Sequence, residues 1–102
     1  MNLQKYPKTM LVIVAEAALE KAIVGDARER GALGWTVTEV RSAWLDGERE
    51  GSWEADRTIE LKLICEPDVA DAIARHVLTT YARHYAVTMT FSEVSVLRPE
   101  RF

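Results

Sequence analysis

The apolar positions of this chain fall into six segments, each with its own period. Lys8 to Ala15 form a nearly continuous apolar run rich in β-branched residues and bounded by Pro7. So short a run predicts a buried strand rather than a helix. Glu16 to Arg30 are helix formers, with Leu19, Ile23 and Ala27 recurring at i, i+4, i+8 as an apolar stripe. Gly25 weakens that helix and Gly31 supplies its stop. Trp35 to Val40 alternates Trp, Val, Val against Thr, Thr, Glu. Thr58 to Cys65 sets Ile59, Leu61 and Leu63 against Thr58, Glu60 and Lys62. Both patterns predict half-buried strands. Pro67 and Asp68 open a second helix, because proline suits a first turn and aspartate complements the helix dipole there. Its expected stripe is Val69, Ile73, Val77 and Tyr81, with Ala70, Ala74, Leu78 and Ala82 beside it. Val87 to Leu97 is a last alternating strand, closed by Pro99.

The order β-α-β-β-α-β predicts an α+β, ferredoxin-like fold: a four-stranded antiparallel sheet with both helices on one face and right-handed crossovers. The other face is left without helices. Apolar residues nevertheless fall on both parities, as at Val12 and Ile13 or Leu63 and Ile64. An uncovered sheet face with apolar content predicts a homo-oligomer.

Length and composition narrow the function. The 102 residues suit one domain spanning the whole chain, and 48% hydrophobic with 28% charged residues describes an ordinary globule. A net charge of −3, with cations interleaved among acids, predicts no nucleic-acid partner. The single cysteine, Cys65, rules out an internal disulfide and suits a reducing cytoplasm, where it reads as a small buried hydrophobe. The opening MNLQKYPKT lacks the apolar core of a secretory signal, and the run MLVIVA is too short to span a bilayer.

Candidate chemistry is sparse. His76 and His84 stand eight residues apart on the second helix, where i, i+4 is the efficient spacing for a metal, so they read as surface or subunit-contact imidazoles. Ser42 and Ser52 lack a recognisable base, and no nucleophile elbow or phosphate-binding glycine motif occurs. Glu48 with Glu50, and Glu54 with Asp56, read as solvated charges. No catalytic residue and no metal ligand is predicted.

The exception is the segment RSAWLDGEREGSWEADR, residues 41–57. Hairpins usually close with two to five residues. Gly47 and Gly51 loosen this one, and Trp44 and Trp53 give it apolar anchors. Arg41, Arg49 and Arg57 can clamp phosphate or carboxylate through paired hydrogen bonds. The segment reads as an arm that changes shape around an anionic ligand or a partner; the bland alternative is a solvated insertion.

The run Gly34-Trp35-Thr36-Val37-Thr38-Glu39-Val40-Arg41 resembles the GMTVTEVK segment of the PII signal-transduction proteins, whose second strand leads straight into a long T-loop. TIELKLICEPDVAD resembles that family's third strand and the start of its second helix. The resemblance extends over about residues 9 to 101. Two departures point to a side branch. Residues 41–57 contain no tyrosine, which argues against uridylylation. Arg83 to Thr88 lack the glycine-rich, lysine-bearing B-loop, which also puts 2-oxoglutarate sensing in doubt. The LVIVAE opening and the YA-bearing B-loop resemble the PII-like proteins linked to bicarbonate uptake and carboxysomes.

The resemblance implies a homotrimer that binds ADP, AMP or ATP in clefts between subunits, with bicarbonate as a second ligand and no cofactor. It assigns Thr36 and Ile64 to flank the adenine, and Arg41, Ser42 and Ala43 at the T-loop base to the phosphates. Tyr85, Ala86 and Val87 would form the shortened B-loop, and Arg98 and Arg101 the arginines of the tail. Arg41, Arg57 and Arg98 are the cations available to bicarbonate. The implied role is a non-catalytic regulator acting through the T-loop on a transporter or a carbon-fixation protein. Two other readings share the fold. An acylphosphatase-like enzyme would need an arginine after the first strand, where Glu16-Ala17-Ala18 stand, whereas weak nucleotide hydrolysis is an alternative that the PII-like branch itself implies. A trimeric metal binder of the CutA type would need more ligands than one cysteine and two distant histidines.

Overall fold

The computed structural model describes residues 2–43 and 57–102. Trp44, Arg49, Trp53 and the glycines of the expected T-loop lie outside the described residues. Six elements follow one another: β1 (Tyr6–Glu16), α1 (Glu20–Glu29), β2 (Thr36–Val40), β3 (Thr58–Cys65), α2 (Pro67–Thr80) and β4 (Thr88–Val96). The strands form one sheet in the order β2-β3-β1-β4, every neighbour antiparallel. This is the ferredoxin-like α+β arrangement predicted from the order of elements.

β1 is the spine of the sheet. Its register pairs Leu11 with Leu63 on one side and with Phe91 on the other. Because side chains alternate along a strand, Leu11, Ile13 and Ala15 share a face with Ile59, Leu61, Leu63 and Cys65. All seven are at most 2% exposed. Leu19, Ile23 and Ala27 of the first helical segment and Ala70, Ile73, Ala74 and Val77 of α2 close over that face. Both helices therefore cover the same side, and the alternation of β3 is the pattern read in the sequence.

Two boundaries differ from expectation. The first helix does not begin at Glu16. That residue is still extended and pairs with Thr58, and Ala17–Leu19 form a 3₁₀ turn before α1. Strand pairing overrides the local helix propensity there. At its other end α1 closes on Gly31, whose φ of 115° lets its N–H reach the Arg28 carbonyl at 3.2 Å while the Ala32 N–H reaches that of Ala27 at 3.0 Å. A Cβ at Gly31 would also touch Val69. α2 ends at Thr80, so Ala82 and His84 follow the helix rather than belong to it. Leu78 is 57% exposed and stands outside the buried stripe. Among the described residues no helix is long and apolar enough to cross a membrane.

Candidate functional site

The helix-free face carries the site. On it Met10 lies directly opposite Ile64, Val12 opposite Lys62, and Lys62 opposite Thr36. Met10, Ile64 and Lys62 floor a cleft of about 640 Å³, a volume that suits a small-molecule ligand. One wall is Leu33, Gly34, Trp35 and Thr36, the segment that Gly31 turns into β2. The other is the end of β4 and the tail: Val96, Leu97, Arg98, Arg101 and Phe102. The Arg28 guanidinium lies over the Trp35 ring, 5.7 Å from its centre.

The tail is tied down by a residue that reads in the sequence as the start of an apolar run. Lys8 is only 8% exposed. Its ammonium pairs with Glu66 at the start of α2, and donates to the Phe102 backbone carbonyl at 3.5 Å. A buried ammonium needs such partners. The Pro99–Arg101 turn is closed by Arg101 N–H to Arg98 carbonyl and Phe102 N–H to Pro99 carbonyl, both at 3.1 Å. Arg98 and Arg101 line the cleft with Lys62, giving it three cations against an apolar floor. Glu100 lies 3.6 Å from the Arg98 Nε, and Glu60 lies 3.4 Å from the Lys62 ammonium, both as partly solvated pairs.

The remaining expected residues gather at the opposite end of the sheet. Val40 pairs with Thr58, and Thr58 with Glu16, so Arg41, Ser42 and Ala43 leave β2 beside Arg57. Arg57 forms an ion pair with Glu39, and its carbonyl accepts the Ala17 N–H at 2.8 Å. Across the sheet the Ala86 N–H donates to the Glu16 carboxylate at 3.3 Å, which fixes Tyr85, Ala86 and Val87 just before β4. Three strand spacings, roughly 14 Å, separate Arg41 from this segment. Val87 and Arg98 stand at the two ends of β4, about 36 Å apart at the usual rise per residue. One chain thus divides the expected residues into two groups. Thr36, Ile64, Arg98 and Arg101 line the cleft. Arg41, Ser42, Ala43, Arg57, Tyr85, Ala86 and Val87 lie at the far end.

Trp35, Lys62, Met10 and Lys8 join the site without having been expected there. The register shows why. Lys62 falls in the polar half of an alternating strand, and only the pairing with Thr36 puts it on the cleft floor. Lys8 occupies the parity of β1 that faces away from the helices, where it meets the returning tail.

His76 takes a structural role in the helix layer. Arg30 donates to His76 Nδ1 at 2.8 Å, which leaves Nε2, 3.0 Å from Asp26, as the donor to that carboxylate. The Tyr81 hydroxyl also donates to Asp26. Burial and the Asp26 carboxylate push the Tyr81 hydroxyl up to about 12. No group of three His, Cys, Asp or Glu residues that could hold a metal occurs among the described residues. The Cys65 thiol is buried, and desolvation, with Asp68 and Glu66 nearby, raises it above its ordinary value. It is a packing thiol rather than a nucleophile.

Comparison with known proteins agrees with this fold. Residues 8–101 match the family model of the nitrogen regulatory protein P-II. A PII-like signaling protein of Thermus thermophilus superposes with a TM-score of 0.82 at 34% identity, covering 97% of this chain and 98% of that one. CPII of Thiomonas intermedia K12, solved with ADP and bicarbonate, superposes at 0.84 with 18% identity, covering 99% of both chains. The same protein with ADP, AMP and acetate superposes at 0.81 with 16% identity over 97% of each. A search of curated protein sequences gave no match. The chain belongs to the nitrogen regulatory protein P-II family, and its fold is that of the PII-like proteins.

Proposed function

We propose that this chain is a non-catalytic regulator that binds ADP, AMP or ATP together with bicarbonate between the subunits of a homotrimer. It works in the cytoplasm and passes the state of its ligands to a transporter or a carbon-fixation protein through the arm at 41–57. The observation that carries this reading is the division of the expected residues between the two ends of the sheet. Within one chain Arg41, Ser42 and Ala43, expected at the phosphates, lie apart from Thr36 and Ile64, expected at the adenine. Three copies joined head to tail would bring the cleft of one chain, with Thr36, Ile64, Arg98 and Arg101, to the arm base of the next, with Arg41, Ser42 and Ala43. The apolar residues of the helix-free face supply the reason for the copies to associate. The ligands that CPII holds suggest the occupants.

Two anions in one pocket repel unless cations stand between them. Arg41 at the arm base and Arg98 on the tail would do this in such a trimer. Arg57 can join them by exchanging its Glu39 partner for the anion. If both ligands order the same arm, each binds more tightly when the other is present, and by the same factor.

Calorimetric titration with ADP and with AMP, with and without bicarbonate, tests this. The expected result is one nucleotide per subunit on a particle of three chains, tightened by bicarbonate. A monomer in solution, or no nucleotide binding, would overturn the reading. Indifference to bicarbonate would remove the carbon-sensing half and leave the nucleotide site.

A further inference from the structure

Trp35 stands at the entrance to β2, where Gly34 releases the chain from the turn after α1. Trp35 is 40% exposed and is one of the residues that line the cleft. A large aromatic surface left in water at the wall of a concave site is an unspent source of binding energy. The ring is also held. Arg28, in the last turn of α1, sets its guanidinium 5.7 Å from the ring centre. This cation–π contact covers one side of the indole and fixes its plane. The rest of the cleft complements it, with Met10 and Ile64 as apolar floor and Lys62, Arg98 and Arg101 as cations.

A planar aromatic wall, an apolar floor and a cationic rim together match the parts of a nucleotide. A base offers a π-face for stacking, and phosphates take charged hydrogen-bond donors. We propose that Trp35, braced by Arg28, is the base-stacking residue of the cleft. It takes the face of the nucleobase while the cations take the phosphates. The inference rests on the nucleotide reading above and deepens it. Stacking uses a π-face that every base possesses. Trp35 therefore supplies affinity for the base, and the choice of adenine falls to polar groups such as Thr36.

The test is calorimetric titration of ADP into the full chain and into its Trp35→Ala and Trp35→Phe variants, with particle mass and thermal midpoint recorded for each. Trp35→Ala is expected to weaken ADP about tenfold or more, and Trp35→Phe to stay within about threefold, because a smaller ring still stacks. Mass and thermal midpoint should not move. In a Trp44→Phe/Trp53→Phe background Trp35 is the sole indole, and ADP should quench its emission where ribose 5-phosphate does not. The proposal is overturned if Trp35→Ala binds ADP as tightly as the parent chain. It is also overturned if the variant loses affinity only because the particle dissociates, since Trp35 would then be a subunit contact. If the parent chain itself binds no ADP, the nucleotide reading fails first and takes the stacking role with it.

Discussion

The two faces of the sheet are built from the same four strands and solve different problems. On the helix side Leu11, Ile13, Leu61 and Leu63 meet α1 and α2 and are at most 1% exposed. Their fit is complete within one chain. On the other side apolar Met10, Val12, Val14 and Ile64, all half-buried, alternate across the register with Thr36, Glu60, Lys62, Thr88 and Thr90. That face is apolar enough to want a partner and polar enough to survive without one. The lesson is that the closed core and the candidate cleft lie on opposite sides of a single strand, so adjacent residues should behave in unlike ways.

The largest expected effect breaks the closed face. Leu63→Ala empties a fully buried position, and large-to-small core changes of this kind cost about 2–5 kcal/mol. The denaturant midpoint should fall accordingly, a sizeable part of the stability of a small domain. Val12→Lys sharpens the contrast from the other side. Val12 follows the buried Leu11 by one residue and points the opposite way, so the far-ultraviolet spectrum should survive. In the proposed trimer the added charge would meet a neighbouring chain. Light scattering should then give the mass of one chain, and ADP binding should be lost. A variant that unfolds, or that keeps a mass of three chains, would show that the open face is not the seam.

Lys8→Met tests the link between the open face and the tail at a smaller cost. The replacement keeps the apolar stem and removes the ammonium. Glu66 is more than half exposed and can turn to water, so the loss of stability should be about 1 kcal/mol or less. The tether to the Phe102 carbonyl goes with it. The amides of Arg101 and Phe102 should exchange faster with solvent, and ADP should bind more weakly because Arg98 and Arg101 are no longer held at the cleft. Unchanged exchange at those two amides would mean that the turn Pro99–Arg101 holds itself.

A pH series addresses the helix layer. The Tyr81 hydroxyl donates to Asp26, and its folded-state value is raised from 10.0 to about 12 by burial and that carboxylate. The folded chain therefore keeps its proton where the unfolded chain has lost it. The contribution is full below about pH 10 and declines as the pH rises toward 12. Tyr81→Phe should be less stable than the parent near neutrality by about 1 kcal/mol, the worth of one hydrogen bond. The gap should narrow between pH 10 and about 12, as measured by denaturant unfolding. A gap that stays constant over that range would sever the hydroxyl from Asp26.

The legible and illegible parts of the sequence follow the same division. The alternation of Thr58–Cys65 is readable because one face of that strand is closed by the chain's own helices. The stripe Ile73, Val77 is readable for the same reason, from the helix side. Thr36, Ile64, Arg98 and Arg101 come from resemblance to the PII proteins and prove to line one cleft. Glu16 reads as helix because the pull into the sheet comes from Thr58, far along the chain. Lys8, Lys62 and Trp35 carry no local mark at all. A lysine in an apolar run and a lysine in a polar alternation look alike until the register sets one under the tail and the other opposite Thr36. Leu78 misleads in the opposite sense, since its spacing continues the α2 pattern while the helix turns it outward.

The smallest expected effect lies in α1, away from both faces of the sheet. Gly25 sits in the interior of the helix with helical backbone and nothing within 4 Å of where a Cβ would be. Glycine there stiffens nothing and leaves the unfolded chain its widest freedom. Gly25→Ala should therefore stabilise the chain by about 0.5–1 kcal/mol, with no change in particle mass or ADP affinity. A destabilised variant would mean that another copy of the chain, or the arm at 41–57, uses the space above Gly25. In that case the helix layer would not be the plain structural side of the molecule, and the contrast between the two faces would have to be redrawn.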